Sequence, residues 1–145
     1  MSFYHALDGI WSAVRAEAHL RFHIAVANLI IVFACFFGIT RAEWAILILN
    51  IAAVISAELM NTAVERAVDT ATRERVPTAK LAKDAAAGAV LVLAAASVAV
   101  GVCLFGNTEK IIMTLAYIFT EPGVLIPCLI LGAADILFVA CFKEK

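Results

Sequence analysis

Four long apolar runs limit what this chain can fold into. They cover residues 22–39, 44–63, 85–106 and 124–142. A helix crosses the hydrocarbon core of a bilayer with about 20 mostly apolar residues. The chain is 64% hydrophobic, against about 45–50% in soluble domains, and a chain of 145 residues has too much surface to hide that fraction from water. The runs therefore predict four membrane-spanning helices.

An amphipathic segment precedes the first run. Phe3, Leu7, Ile10 and Val14 recur at helical spacing, so they share one apolar face. This segment is expected to lie on the membrane surface, although it could also be the first turn of a core helix. Residues 111–119 are too short to span and are expected to form an interfacial or re-entrant segment. We predict an all-α membrane protein with an N-terminal amphipathic surface helix, three core transmembrane helices and a fourth, C-terminal transmembrane helix.

The basic residues orient these spans. With the N-terminus in the cytoplasm, nine of the eleven Lys and Arg residues fall on the inner side, and only Arg41 and Lys110 fall outside. Loops rich in Lys and Arg stay in the cytoplasm. Four spans also return the C-terminus to the cytoplasm, so the number of spans and the charges agree.

Polar side chains form a row on the second predicted span. At 100° per residue, Glu58, Asn61, Glu65 and Asp69 fall within about 80° of one another and extend over about 16 Å. An acid inside a span costs roughly 2.5–3.5 kcal/mol on insertion scales and usually marks function. The alternative is that Glu58 and Asn61 only join helices. Three carboxylates in one row repel each other, and Mg²⁺, which favours a few carboxylates plus substrate phosphates, would relieve that repulsion.

A basic residue and an acid begin the third span. Lys83 and Asp84 lie where free N–H groups and the helix dipole favour a phosphate. The alternative for Lys83 is that it only anchors the helix at the inner surface. No glycine-rich nucleotide loop occurs in the sequence, so a nucleotide would have to be bound by carboxylates, lysine and helix ends.

Three further polar features stay open. Glu17 stands four residues before Arg21 and either pairs with it or adds an oxygen ligand to the acidic row. His19 and His23 are also four residues apart, but zinc has weak support because no third ligand has matching spacing. Asp135, in the fourth run, is a relay, a helix-pairing group or an interface residue.

Two sequence blocks carry a resemblance to a known family. They are Glu58-x-x-Asn61-Thr-Ala-Val-Glu65-x-x-x-Asp69 and Lys83-Asp84-Ala-Ala-Ala-Gly88-Ala-Val. Over roughly residues 3–106 the chain resembles the small integral-membrane lipid kinases, which include bacterial diacylglycerol kinase and undecaprenol kinase. His23 and the second block are more similar to the undecaprenol kinase branch. The resemblance implies a lipid kinase core in residues 1–106, and residues 107–145 are then a C-terminal extension.

The resemblance also implies an activity. Such a protein is an ATP-dependent lipid kinase that uses Mg²⁺ to transfer the γ-phosphoryl group of ATP to the hydroxyl of a membrane lipid alcohol. Undecaprenol is the expected substrate, and diacylglycerol, which would give phosphatidic acid, is the alternative. A homotrimer with sites shared between subunits is implied, in the bacterial plasma membrane and with its active site on the cytoplasmic side.

Residue roles follow from the same resemblance. Glu58 matches the catalytic base, Glu17 and Glu65 match the metal-bridging carboxylates, and Asn61 and Asp69 support the site. The implied nucleotide contacts are His5, Glu17, Glu65, Glu74, Arg75, Val76, Lys83 and Asp84.

A hypothesis of another class is a non-enzymatic membrane pathway for cations or protons. It would be built on Glu58, Glu65 and Asp135, because acids inside spans also suit that function. The pair Lys83 and Asp84 distinguishes the two hypotheses, since a cation pathway has no need of it.

The charge bias predicts that the loop between the second and third spans is cytoplasmic. A cysteine introduced at Thr72, in a variant without native cysteines, should resist membrane-impermeant thiol reagents in intact cells. The same cysteine should react after the cells are permeabilised. Ready labelling from outside would contradict the orientation and would place the acidic row away from cytoplasmic ATP.

Overall fold

The computed structural model describes residues 2–72, 74 and 76–141, and this part of the chain is built from helices. Six α-helices follow one another: α1 (Ser2–Ala16), α2 (Ala18–Phe37), α3 (Arg41–Ala71), α4 (Pro77–Phe105), α5 (Thr108–Thr120) and α6 (Pro122–Cys141). Of these, α2, α3, α4 and α6 are long and apolar enough to cross a membrane. The predicted all-α membrane fold with four spans is confirmed.

The second span is longer than its apolar run. Helix α3 begins after Thr40, whose hydroxyl accepts a hydrogen bond from the Glu43 N–H, while the Glu43 carboxylate accepts one from the Thr40 N–H. This capping box satisfies N–H groups that the helix start would leave free. Upstream, α2 ends at Gly38, whose φ of 68° is left-handed and so favours glycine. Because α3 continues to Ala71, the whole acidic row lies on one unbroken helix.

Helices α3 and α4 form an antiparallel pair. At mid-span the Asn50 Nδ2 donates to the Ser97 hydroxyl at 3.0 Å. Such polar contacts between helices replace the hydrogen bonds that lipid cannot provide. On the side away from the α3–α4 loop, Ala34 of α2, Leu47 of α3 and Leu104 of α4 form a buried apolar cluster. These contacts hold α3 and α4 side by side from mid-span to the start of α3 and the end of α4.

A buried arginine fixes the junction of α1 and α2. Arg21 is only 1% exposed, and its Nη1 donates to the carbonyls of Val14 at 3.0 Å and Arg15 at 3.1 Å. Carbonyls in the last turn of a helix lack intrahelical donors, and Arg21 supplies them. Its Nε also donates to the carbonyl of Val139, in α6, at 3.4 Å. The open alternative of a Glu17–Arg21 ion pair is not what the structure shows, because the Arg21 guanidinium is directed to these backbone oxygens.

The C-terminal helices pack along α2. At the end of α2, beside the α2–α3 connection, the Lys110 ammonium of α5 donates to the carbonyl of Gly38 at 3.1 Å. Inside the span, the Asn28 Nδ2 donates to Asp135 Oδ1 of α6 at 3.0 Å, and Asp135 is buried. Of the roles left open for Asp135, the structure therefore supports helix pairing.

The Asn28–Asp135 contact should contribute to stability. D135L leaves the Asn28 amide without its acceptor in apolar surroundings, and we expect a loss of about 1 kcal/mol, within the range measured for hydrogen bonds between membrane helices. Detergent-titration unfolding would measure it. The control is D135N, which keeps an acceptor oxygen and should stay close to the unaltered protein. The double variant N28L/D135L should recover most of the loss, and an unchanged D135L would contradict the contact.

Candidate active site

The acidic row of α3 passes from buried to exposed surroundings. Glu58 is 5% exposed, Asn61 and Glu65 are half-buried, and Asp69 is exposed. The hydrogen bond that the Asn61 Nδ2 donates to Glu65 Oε1 at 3.0 Å is consistent with the predicted grouping of these residues on one face. The row therefore connects the interior of the helix bundle with its loop end.

The buried end of the row contacts α2. Glu58 Oε1 lies 3.0 Å from His23 Nε2, and the two side chains are 7% and 23% exposed. The sequence did not predict this pair. Spacing along α2 shows which residues share a face, but it carries no signal for which face of α2 meets which face of α3. His19, the other histidine of the zinc alternative, is exposed.

A further carboxylate, Glu17, contacts α3 from the α1–α2 junction. Glu17 immediately precedes α2, and its Oε1 lies 3.9 Å from Arg66 Nη2. Arg66 follows Glu65 in the chain, so the ion pair links Glu17 to the residue next to the other carboxylate of the expected metal pair.

An acceptor oxygen beside Glu65 has no donor. Asn61 Oδ1 is buried and has no hydrogen-bond partner in the described part of the chain. A neutral amide oxygen next to carboxylates is a ligand that a hard cation accepts. In residues 2–72, 74 and 76–141 no three His, Cys, Asp or Glu side chains are grouped as a ready-made metal site. Mg²⁺ needs no such group, because it is commonly held by one or two carboxylates, water and substrate phosphates.

A cavity of about 830 Å³ lies between the end of α3 and the start of α4. Pro77 occupies the first turn of α4, and the N-cap residue, Val76, has no side-chain group to cap the helix. The first N–H groups of α4 therefore remain available to an anion, which the positive end of the helix dipole would attract. At the cavity wall the Lys83 ammonium donates to Asp69 Oδ1. A volume of this order is typical of small-molecule sites.

Some of the residues predicted to contact the nucleotide line this cavity. Three predicted contacts line it: Glu74, Val76 and Lys83. The other described members of the set are not among its lining residues: His5, Glu17, Glu65 and Asp84. Arg75 lies outside the described residues. Lys80 also lines the cavity and was not predicted, although its position one helical turn before Lys83 is a signal that could have found it.

A groove of smaller volume lies beside the buried end of the row. It has a volume of about 380 Å³ and lies between α2, α3 and α4. Its walls are mostly apolar, apart from His23 and the hydrogen-bonded pair of Asn50 and Ser97. One carboxylate row is thus flanked by an apolar groove at its buried end and by a polar cavity at its exposed end.

Comparisons with known proteins identify a family and several relatives. The family profile described as prokaryotic diacylglycerol kinase matches residues 4–105. An undecaprenol kinase of Bacillus subtilis is 43% identical over 104 residues, which cover 72% of this chain and 85% of that protein. A diacylglycerol kinase of Synechocystis is 38% identical over 105 residues, or 72% of this chain and 60% of that protein.

A third relative is more distant. A diacylglycerol kinase of Helicobacter pylori is 34% identical over 91 residues, which cover 63% of this chain and 71% of that protein. No solved structure matches this chain significantly. The family profile covers well over half of the chain, and its match ends at the last residue of α4. The chain belongs to the prokaryotic diacylglycerol kinase family.

Proposed function

We propose that this protein is an integral-membrane lipid kinase that phosphorylates the hydroxyl of a membrane lipid alcohol with ATP, and that undecaprenol is its main substrate. The observation that carries the proposal is the acidic row of α3: Asp69 lines a cavity at a helix N-terminus, and Glu58 contacts His23 in the wall of an apolar groove. Family membership supports the activity. The name of the Bacillus subtilis relative favours undecaprenol over diacylglycerol.

The polar end of the row suits the phosphates of ATP. Phosphoryl transfer requires alignment and charge neutralisation more than covalent chemistry. Lys83, Lys80 and the first N–H groups of α4 supply positive charge at the cavity. The proposed nucleotide set is completed by Glu74 and Val76 at the cavity, by Glu17 and Glu65 through the metal, and by His5, Arg75 and Asp84.

Glu17, Glu65 and the free oxygen of Asn61 would hold Mg²⁺. The metal neutralises phosphate charge when it is bound. Glu58, at the buried end, would accept the proton of the lipid hydroxyl, since a general base must lie within hydrogen-bond reach of that proton. Asp69 supports the site by holding Lys83.

The remaining proposals concern organisation. We place the kinase core in residues 1–106, with residues 107–145 as an extension whose helices α5 and α6 pack on α2, and the active site on the cytoplasmic side of a bacterial plasma membrane. We also propose a homotrimer with shared sites. Its support in this structure is that His5 and Asp84 are exposed and lie off the cavity of their own chain.

The cation-pathway alternative receives no support from the geometry. It requires Asp135 to share a path with Glu58 and Glu65. Asp135 instead bonds to Asn28 while Glu58 bonds to His23. Asn28 and His23 are five residues apart on α2, which places them about 140° apart around the helix.

The base assignment predicts a selective loss of turnover. E58Q removes the proton acceptor with almost no change in size, so turnover on undecaprenol should fall by about 10²–10⁴-fold. Nucleotide binding should persist, because the cavity is untouched. Thin-layer separation of labelled lipid products, with undecaprenol and diacylglycerol supplied separately, measures both turnover and substrate preference. Near-normal turnover of E58Q on both lipids would show that another group is the base.

The metal assignment predicts a changed Mg²⁺ requirement. E17Q and E65Q should each raise the Mg²⁺ concentration needed for half-maximal activity by about tenfold or more, since even outer partners of a metal typically matter by 10–100-fold. E109Q, which changes an acid in the first turn of α5, is the matched control. Unchanged Mg²⁺ dependence in both variants would contradict the assignment.

The oligomer proposal predicts a trimer in mild detergent. Cross-linking and mass measurement of the purified, active protein should give three chains. A monomer with full activity would contradict the shared sites.

A further inference from the structure

The contact between His23 and Glu58 has no role in the mechanism above. Glu58 is almost fully buried, and the described structure gives it one side-chain partner, His23 Nε2, at 3.0 Å. His23 is less buried than Glu58, and it lines the apolar groove between α2, α3 and α4. The same imidazole therefore touches the proposed base and borders the space beside it.

We propose that His23 is a positioning residue for the Glu58 carboxylate, and this rests on the proposed function of Glu58 as the base. An ionised carboxylate only accepts hydrogen bonds, so the histidine nitrogen facing it must carry the proton. Hydrogen bonds to a charged acceptor are short and strong. The imidazole N–H donates a hydrogen bond to Oε1, so Oε2 remains to accept the proton of the lipid hydroxyl.

The geometry explains why this carboxylate needs a partner. Glutamate has three rotatable side-chain bonds, and a base must be held within hydrogen-bond reach of its proton. Apolar side chains around the groove cannot direct a carboxylate oxygen. A donor fixed on a neighbouring helix can, because α2 is itself held in place by the Arg21 contacts at its start.

A simpler explanation is that the pair only joins α2 to α3. That explanation predicts a loss of stability with little effect on turnover. The pair Asn28 and Asp135 joins α2 to α6 outside the proposed machinery, so D135L, which leaves Asn28 without its acceptor, measures the effect of losing a polar helix contact. H19Q measures the effect of removing an exposed histidine from the same helix.

The test is a double-variant cycle on Glu58. Turnover on undecaprenol and the KM for ATP would be measured for H23L, E58Q and H23L/E58Q. Residues that act through each other have non-additive effects. We expect H23L to lower kcat by at least about tenfold and to leave the KM for ATP within about twofold. In the E58Q background, H23L should change the residual kcat by less than about twofold.

Two conservative variants, H23Q and H23N, keep the inference testable if H23L fails to fold. The amide nitrogen of glutamine reaches about as far as histidine Nε2, whereas that of asparagine is one methylene shorter. H23Q should therefore restore most of the turnover, and H23N should not. Both variants place a polar amide at the same point of α2, so a difference between them reports on reach toward Glu58.

Four results would overturn the inference. Three are normal turnover in H23L, the same fold-loss from H23L with and without E58Q, and equal activity of H23Q and H23N. The fourth is a loss of turnover in H23L no larger than in D135L, which would assign the contact to helix packing. Absence of lipid phosphorylation by the unaltered chain is a separate result, since it contradicts the proposed function before any variant is compared.

Discussion

The structure depends on placing a carboxylate, Glu58, inside a helix that crosses a membrane. A charged group in the hydrocarbon region is tolerated only when it faces protein or water and has partners. Glu58 meets this condition by facing α2 and His23. The same constraint governs other polar side chains of the spans: Asn50 is paired with Ser97 and Asn28 with Asp135. The contacts of His23 with Glu58 and of Asn28 with Asp135 therefore help to fix α2 against α3 and α6, because apolar side chains are equally well solvated by lipid.

Because α3 is unbroken, the buried Glu58 and the exposed Asp69 lie on the same helix. If the helix ended with its apolar run near residue 63, the acids beyond would belong to a loop. Because it continues to Ala71, Glu58 and Asp69 are held on one rigid element, about 16 Å apart by helix rise. In the proposed reaction the buried end of the row would meet a lipid hydroxyl, and the other end lies beside the helix N-terminus and lysines that suit phosphates. A reaction between a membrane substrate and a water-soluble one needs such a bridge.

Much of this could be predicted from the sequence, and what was missed has a common cause. Hydrophobic runs and 100° periodicity predicted the four spans, the amphipathic helix α1 and the row on α3, since these depend on single helices. The contacts between helices could not be predicted in this way. The Glu58–His23 and Asn28–Asp135 pairs depend on which faces meet, and neither pair has a spacing within one helix. Arg21 shows the same limit: i, i+4 spacing suggested Glu17 as its partner, but the unpaired carbonyls at the end of α1 take the guanidinium.

The central claim is that the row on α3 crosses the boundary between membrane and water. Nitroxide labels placed singly along residues 57–70 of the reconstituted protein, with collision rates measured for oxygen and for a water-soluble nickel complex, test it most directly. The account predicts that oxygen dominates around Glu58, that the nickel complex dominates around Asp69, and that the crossing falls between them. A crossing before Glu58 or beyond Asp69 would leave the whole row in one phase and would contradict the account.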